Sequence, residues 1–256
     1  MNQFTAKLYS NSRLCASMYL AEFECNDNIE NSAPGQFLTV RITTTTVPLL
    51  RRPFAFSGIS SSKQRAAFIY QVRGGGTEIL SRFGKETELD IIAPLGKPFP
   101  LPEPDQYSLV VAGGIGLGPI LFLADTLKKN GTPHKFVFGC RSKSWLPEGL
   151  WSGDEVLCTD DGSFGFKGNV VAYLETIADE LPKNTRIYCC GPEPMLKGCH
   201  LFAIHHHFSC FVSVEQVMAC GVGACMGCAV KLAGGRSYAR ACKEGPVFES
   251  KELAWE

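Results

Sequence analysis

The sequence lacks the features that mark exported, membrane-spanning and nucleic-acid-binding proteins. Its 25 basic and 25 acidic residues balance, so no net charge attracts the chain of 256 residues to polyanions. No apolar run approaches the length of a membrane span. Residues 1–20 contain neither the apolar core nor the cleavage site of a secretory signal. We therefore expect a cytoplasmic protein with no nucleic-acid or membrane partner.

Cysteine, by contrast, is plentiful, with 12 in the chain. Disulfide frameworks belong to shorter, exported chains, so the missing signal and the length argue against one. Isolated free cysteines are commonly small buried apolar residues. That role is expected for five scattered positions, namely Cys15, Cys25, Cys158, Cys199 and Cys210.

Four cysteines near the end of the chain have a different pattern. Cys220, Cys225 and Cys228 follow C-x4-C-x2-C, the spacing of a plant-type [2Fe-2S] cluster, and Cys242 supplies the fourth thiol. Structural zinc sites use two C-x2–4-C pairs, whereas only Cys225 and Cys228 form one here. The spacing favours the cluster, with a zinc-stabilised regulator as the alternative. Thirteen residues separate Cys228 from Cys242, a shorter gap than in plant-type ferredoxins, so this is a variant cluster segment.

The first hundred residues read as an antiparallel β-barrel. Short alternating apolar runs occur at 37–42, 67–72 and 87–92, and turn-rich stretches separate them. Regular short strands without long helical patterns are typical of a small barrel.

Two segments of this barrel have the composition of a phosphate site. The adjacent Arg51 and Arg52 precede the rigid Pro53, so the two guanidinium groups could clamp a pyrophosphate together. The run 74–77 is three glycines followed by threonine, which leaves backbone amides open to an anion. Each alone could be a solvated turn, but together in one barrel they predict a dinucleotide cofactor.

The middle of the chain reads as a nucleotide-binding α/β sheet. Residues 107–129 give a strand, a glycine turn and an amphipathic helix, and further strand runs follow at 135–139, 155–159 and 186–190. Strands alternating with helices predict a parallel sheet with ligands at the strands' carboxyl ends. Asp160 and Asp161 would then belong to a loop of this fold rather than to a pair of catalytic carboxylates.

Several of these motifs resemble the ferredoxin–NADP reductase superfamily. They are Arg52-Pro53-Phe54-Ala55, Gly74-x-Gly76-Thr77, Pro94-Leu95-Gly96, Gly113-Gly114-x-Gly116 and Cys190-Gly191-Pro192-x-Pro194-Met195. The resemblance implies a multidomain β plus α/β protein: an FAD-binding antiparallel barrel at 1–102, an NAD(H)-binding parallel sheet at 103–208 and a [2Fe-2S] segment at 209–256. That superfamily often has serine where Ala55 stands, so the amide of Ala55 or the Ser57 hydroxyl would have to contact the flavin.

The resemblance also implies the site residues. FAD would contact Arg52, Pro53, Phe54, Ala55, Ile69, Tyr70, Gln71, Gly74, Gly76 and Thr77, NAD(H) would contact Gly113, Gly114, Gly116, Gly191 and Pro192, and Cys190 would be the catalytic-site residue beside the nicotinamide. The basic Arg141 and Lys143 leave the choice between NADH and NADPH open.

The order of the three parts resembles one family more closely, the electron-transfer subunits of class 1B, NAD-dependent dihydroorotate dehydrogenases. The most specific matches are the runs 49–53, 220–225 and 242–248. This resemblance implies an FMN-containing catalytic partner that oxidises dihydroorotate to orotate in pyrimidine biosynthesis. Electrons would pass through the [2Fe-2S] cluster and FAD to NAD⁺ in a heterotetramer of two plus two subunits. A subunit of a bifurcating transhydrogenase or a sulfide dehydrogenase is the alternative.

The cluster must lie near the partner, because electrons tunnel only short distances. We expect apolar residues that flank the thiols to border that interface. These are Met218, Val222, Met226 and the pair Val247 and Phe248.

Overall fold

A computed structural model describes residues 1–24, 29–60, 62 and 64–255. Cys25, for which burial was expected, lies outside the described residues. Within them, no helix is long and apolar enough to cross a bilayer.

Six antiparallel strands close into the predicted barrel, in the order β1-β2-β5-β4-β3-β6. They are β1 (Asn2–Arg13), β2 (Met18–Glu24), β3 (Phe37–Arg41), β4 (Arg52–Ile59), β5 (Arg65–Gln71) and β6 (Glu88–Leu95). Alternation directs one set of side chains inward, where Leu8, Phe23, Phe56 and Phe68 are fully buried. The short helix α1 (Gly75–Leu80) adds Leu80 to this core.

The second unit is a mostly parallel sheet between helices. Its strands are β7 (Ser108–Gly113), β8 (His134–Cys140), β9 (Val156–Thr159), β10 (Phe166–Lys167), β11 (Arg186–Cys190) and β12 (Ser209–Ser213), and its helices are α2 (Leu117–Lys129), α3 (Val170–Thr176) and α4 (Glu193–His205). All six residues of β7 are buried, as expected for a parallel strand covered on both faces. Short 3-10 turns lie at Gly114–Gly116, Lys143–Trp145, Ala178–Glu180 and Ser250–Glu252.

The C-terminal part is joined to this sheet. After β12 the chain forms the cysteine loop and the hairpin of β13 (Ala229–Lys231) and β14 (Tyr238–Arg240). It then returns as β15 (Val247–Glu249), which pairs antiparallel with β12. The full sheet order is β10-β9-β8-β7-β11-β12-β15, so two of its strands come from residues 209–256. The predicted fold class is confirmed, with the cluster segment built onto the edge of the sheet.

The barrel packs against α2 through a shared hydrophobic core. Met18 and Ile69 of the barrel join Leu117 and Ile120 of α2 in one buried cluster. A Cβ placed on Gly118 would lie 3.7 Å from the Ile69 side chain, so the helix lies close against the barrel wall. This packing fixes the barrel and the sheet relative to each other, and a cavity forms where they meet.

Candidate functional site

A cavity of about 290 Å³, here called the central cavity, lies where the three parts of the chain meet. Most of the predicted site residues line it, namely Arg52, Pro53, Phe54, Ala55, Ile69, Tyr70, Gln71, Thr77, Gly116, Cys190 and Gly191. The C-terminal part adds Ser213, Val214, Glu215, Gln216, Met218 and Pro246. Ser57 does not line this cavity, and its Cβ lies 3.7 Å from where a Cβ on Gly118 of α2 would be.

The arginine and glycine motifs of the barrel come into contact at this cavity. An added Cβ on Gly76 would lie 2.8 Å from Nε of Arg52, so the guanidinium rests where only glycine leaves room. Arg51 points elsewhere, and its Nη2 lies 2.7 Å from Oδ2 of Asp90. The expectation of a clamp by both arginines is therefore wrong, because Arg52 lines the cavity and Arg51 does not.

The glycine turn beside Arg52 is partly closed by its own threonine. The amides of Arg73 and Gly74 donate to Oγ1 of Thr77 at 3.0 and 3.3 Å. Gly74 and Gly75 have no atom within 4 Å of where a Cβ would be, so their backbone stays open on that side. The turn thus offers bare backbone next to a fixed cation.

A second cavity of about 800 Å³, here called the nucleotide groove, follows the carboxyl ends of β7, β8 and β9. Gly114 lines this groove with φ +53, and no atom lies within 4 Å of where its Cβ would be. Its backbone is therefore accessible from the groove. A Cβ on Gly113 would lie 2.4 Å from Sδ of Met195, and one on Gly116 would lie 2.1 Å from the carbonyl oxygen of Cys190. Gly113 and Gly116 are therefore required for packing, whereas Gly114 is free for a ligand.

The two cavities adjoin each other. Gln71, Arg73, Ile115 and Glu215 line both of them. Arg73 and Glu215 lie 3.9 Å apart and link the barrel to the C-terminal part. Sequence reasoning missed Glu215, since it falls between recognisable motifs. Its place directly after β12, at the ligand-binding edge of the sheet, is the signal that would have found it.

Cys190 ends β11 and faces the central cavity. Burial raises the pKa of its thiol to about 12, although a hydrogen bond with Ser213 opposes this. The thiol is therefore neutral at physiological pH and is no thiolate nucleophile. Ser213, paired with Cys190 in the sheet register, is a second residue that sequence reasoning missed.

The four C-terminal thiols lie together as two pairs. The sulfurs of Cys220 and Cys225 are 3.3 Å apart. The amide of Cys242 donates to Sγ of Cys228 at 3.5 Å, and Gly223 donates its amide to Sγ of Cys242 at 3.1 Å. One loop and one turn thus bring all four cysteines into a single site.

The two pairs of thiols fit the ligands of a two-iron cluster. Burial opposes ionisation of Cys220, yet backbone amides lower the pKa of its thiol to about 6. Burial and the nearby Cys228 raise the pKa of Cys242 to about 12, and a bound metal ion deprotonates such a thiol outright. Two thiols for each iron is the ligand set that a [2Fe-2S] cluster requires.

The cysteine site lies between the central cavity and the surface. Met218, two residues before Cys220, lines the central cavity. Gly221 packs on Thr39 of β3, with a Cβ position 3.0 Å from the threonine methyl. Cys228 is 1% exposed, whereas Cys225 is partly exposed. A cluster here would be close to a ligand of the cavity and open to a partner on its other side.

The expected docking residues divide into two groups. Met226 is 58% exposed, whereas Met218 and Val222 pack partly into the core. Val247 and Phe248 are only 7% and 6% exposed because β15 is paired into the sheet. These two side chains therefore offer little surface of their own to a partner, and the expectation that their region borders the interface stays a prediction.

A flavin-reductase barrel, a nucleotide-binding sheet and a paired-cysteine loop around one cavity define a reductase-like flavoprotein with its own iron–sulfur segment. Comparison with known proteins agrees. Residues 215–254 match the family described as the iron-sulfur cluster binding domain of dihydroorotate dehydrogenase B.

Curated relatives extend this likeness over the whole chain. The electron transfer subunit of dihydroorotate dehydrogenase B (NAD(+)) from Desulforamulus reducens is 39% identical, over 99% of this chain and 98% of its own length. The corresponding subunit of Caldanaerobacter subterraneus is 36% identical, over 97% of each chain. The chain belongs to the family of electron transfer subunits of NAD-dependent dihydroorotate dehydrogenase B, and is thus an oxidoreductase subunit.

Solved structures agree on the fold. The NADH-dependent reduced ferredoxin–NADP oxidoreductase, studied for flavin-based electron bifurcation, superposes with a TM-score of 0.86 at 25% identity, over 98% of this chain and 90% of that one. Phthalate dioxygenase reductase superposes with a TM-score of 0.66 at 17% identity, over 91% and 87% of the two chains. Together with the family match, these neighbours support FAD, a [2Fe-2S] cluster and NAD(H) as the cofactors. As an electron transfer subunit, the chain has a catalytic partner subunit.

Proposed function

We propose that this chain passes electrons from an FMN-containing subunit, which oxidises dihydroorotate to orotate, to NAD⁺. The observation that carries this proposal is the central cavity, which residues from the barrel, the sheet and the cluster segment line together. Bound FAD supplies the exchange between one-electron transfer at a cluster and two-electron hydride transfer with NAD(H). The protein's part is to hold the three groups in one fixed order.

Individual residues have distinct parts in this proposal. Arg52 binds the FAD pyrophosphate beside Gly76, while Phe54, Ala55 and Tyr70 border the flavin ring. The open backbone of Gly114 admits the NAD(H) pyrophosphate. The full proposed set is Arg52, Pro53, Phe54, Ala55, Ile69, Tyr70, Gln71, Gly74, Gly76 and Thr77 for FAD, Gly113, Gly114, Gly116, Gly191 and Pro192 for NAD(H), Cys190 beside the nicotinamide, and Cys220, Cys225, Cys228 and Cys242 for the cluster.

In this proposal the chain consists of three units, at 1–102, 103–208 and 209–256, and the third unit shares the sheet of the second. The partner is the FMN subunit, in a complex of two plus two chains. Free thiols at every cysteine of the described residues favour a reducing compartment, so we place the complex in the cytoplasm.

A subunit of an electron-bifurcating transhydrogenase is the second candidate. The high TM-score to the bifurcation-related oxidoreductase supports it. Identity favours the first candidate, however, at 39% against 25%.

Co-expression of this chain with an FMN-type dihydroorotate dehydrogenase subunit tests the proposal. We expect a stable complex that reduces NAD⁺ when dihydroorotate is added, with a mass equal to two copies of each chain. The catalytic subunit alone is the control and should leave NAD⁺ oxidised. A complex with its full complement of flavin and iron that reduces NAD⁺ only from reduced ferredoxin or NADPH would support the second candidate instead.

Nucleotide choice gives a separate prediction, centred on Asp160. Asp160 lines the nucleotide groove just after β9, where a carboxylate can accept from the ribose 2′-hydroxyl and repel a 2′-phosphate. Arg141 lies over the ring of Trp145 at 5.9 Å, and Lys143 over the ring of Phe164 at 5.8 Å. Asp160→Asn should reduce the preference for NADH over NADPH by roughly 1–2 kcal/mol, about 5- to 30-fold.

The measurements for this prediction are kcat/KM with ferricyanide as acceptor and the Kd of ADP-ribose with and without a 2′-phosphate. Asp161→Asn is the matched control, since the Asp161 carboxylate accepts from the amide and hydroxyl of Ser163 at 2.9 and 2.6 Å. Equal changes in the two variants would count against a specific role for Asp160.

A further inference from the structure

The turn that carries Cys242 is pinned by an ion pair. The amide, Nε and Nη2 of Arg240 donate to the Glu244 carboxylate at 2.8, 3.0 and 2.6 Å. The amides of Lys243 and Glu244 donate back to the carbonyl of Arg240 at 3.0 and 2.9 Å. Cys242 therefore lies inside a turn whose two ends are tied together.

The same arginine also reaches the cysteine loop. Its Nη1 donates to the carbonyl of Gly223, whose own amide donates to Sγ of Cys242 at 3.1 Å. Gly223 has φ +81, a conformation that suits glycine. One residue is thus held at its carbonyl by Arg240 and directed at a cluster sulfur by its amide.

The positive and negative groups of this ion pair face different directions. Glu244 occupies the Nε and Nη2 side of the guanidinium, while Nη1 is directed at the cysteine loop. The guanidinium and the carboxylate form a salt bridge, with Nη2 of Arg240 2.6 Å from Oε1 of Glu244.

We propose that Arg240 is a positioning residue that raises the reduction potential of the iron–sulfur cluster, and that Glu244 moderates this effect. The inference rests on the proposed function, in which the four cysteines hold the cluster. Reduction adds one electron and no compensating charge, so a nearby cation and a directed N–H to sulfur both favour the reduced form. The pair thereby sets the driving force for exchange with the flavin.

Potentiometric titration of the full-length chain, followed by electron paramagnetic resonance of the reduced cluster, tests this proposal. Arg240→Gln removes the positive charge and the planar set of guanidinium donors, and should lower the reduction potential of the cluster. Glu244→Gln unmasks the guanidinium, and should raise the potential. Arg240→Lys keeps the charge and should restore part of the loss. A purely structural clamp would instead move the potential in one direction whichever partner is changed.

Lys243→Gln is the charge control. Lys243 is an exposed cation next to Cys242 whose aliphatic stem lies against Gly223, and glutamine keeps the first part of that stem. Solvent screens the ammonium group, so the potential should stay nearly unchanged. Iron and sulfide analysis accompanies each titration. If Arg240→Gln fails to assemble a cluster, Glu244→Gln and Arg240→Lys still decide the sign. Shifts of equal sign in the arginine and glutamate variants, or none, would overturn the proposal. Absence of iron and sulfide from the unaltered chain would instead contradict the proposed function.

Discussion

Cys225→Ser is expected to abolish the iron–sulfur cluster while leaving FAD bound. Cys225 pairs with Cys220 at 3.3 Å, so its loss leaves one iron with a single thiol of this chain. Dihydroorotate-dependent NAD⁺ reduction by the complex should fall to background. NADH oxidation by ferricyanide needs only the flavin and the nucleotide groove, and should stay within about twofold. The visible spectrum should lose the broad iron–sulfur absorbance and keep the flavin bands.

Cys15→Ser is the control for the Cys225 variant, since Cys15 is a partly buried cysteine that lines neither the central cavity nor the cluster site. It should retain both cofactors and both activities. Joint loss of flavin and cluster in Cys225→Ser would contradict the separation of the sites. Met218 lines the central cavity two residues before Cys220, so a disturbed cysteine loop could also disturb the cavity. The experiment therefore distinguishes the two outcomes.

The cluster segment was predictable because its chemistry is local. Three of the four thiols lie within nine residues, and a cluster tolerates few spacings, so the pattern in the sequence already contains the proposed ligand set. The contact of Arg52 with Gly76 was predictable in the same way, from two short motifs that we propose bind one ligand. Adjacent residues of an extended chain point to opposite faces, so the sequence could have indicated that Arg51 and Arg52 separate. The partner of Arg51 was not predictable, because Asp90 is distant in sequence.

Other parts of the site depended on tertiary packing. Phe37, Leu38, Thr39 and Val40 of β3 are all nearly buried, because the C-terminal part covers the outer face of the barrel there. The run 37–42 predicts the strand itself, but an apolar–polar alternation cannot report that both of its faces are covered. Ser213 and Glu215 reach the central cavity only because β12 joins the sheet beside β11. A strand of five residues is too short to give a periodic signal of that pairing.

Arg52→Ala should sharply weaken FAD binding. The guanidinium rests over Gly76 and lines the central cavity, where a bidentate hydrogen bond to a phosphate would be charge-assisted. Losing that contact should cost about 2–4 kcal/mol, roughly 30- to 1000-fold in the Kd of FAD. Fluorescence titration of the deflavinated chain with FAD measures this loss. Arg52→Lys should recover only part of the affinity, since an ammonium group lacks the planar fork.

Arg51→Ala distinguishes a phosphate contact from general loss of positive charge. Arg51 lies beside Arg52 but pairs with Asp90, so its removal should leave the Kd of FAD nearly unchanged. Burial favours a raised pKa for Asp90, but hydrogen bonds from Arg51 and Gln3 lower it. The ionised Asp90 therefore stabilises the folded state above the ordinary aspartate pKa, and this stabilisation is lost as the pH falls through the lowered pKa. Arg51→Ala should therefore reduce the free energy of unfolding by about 1 kcal/mol at pH 7 and by less in acid. Equal weakening of FAD by both alanine variants would contradict a specific contact by Arg52.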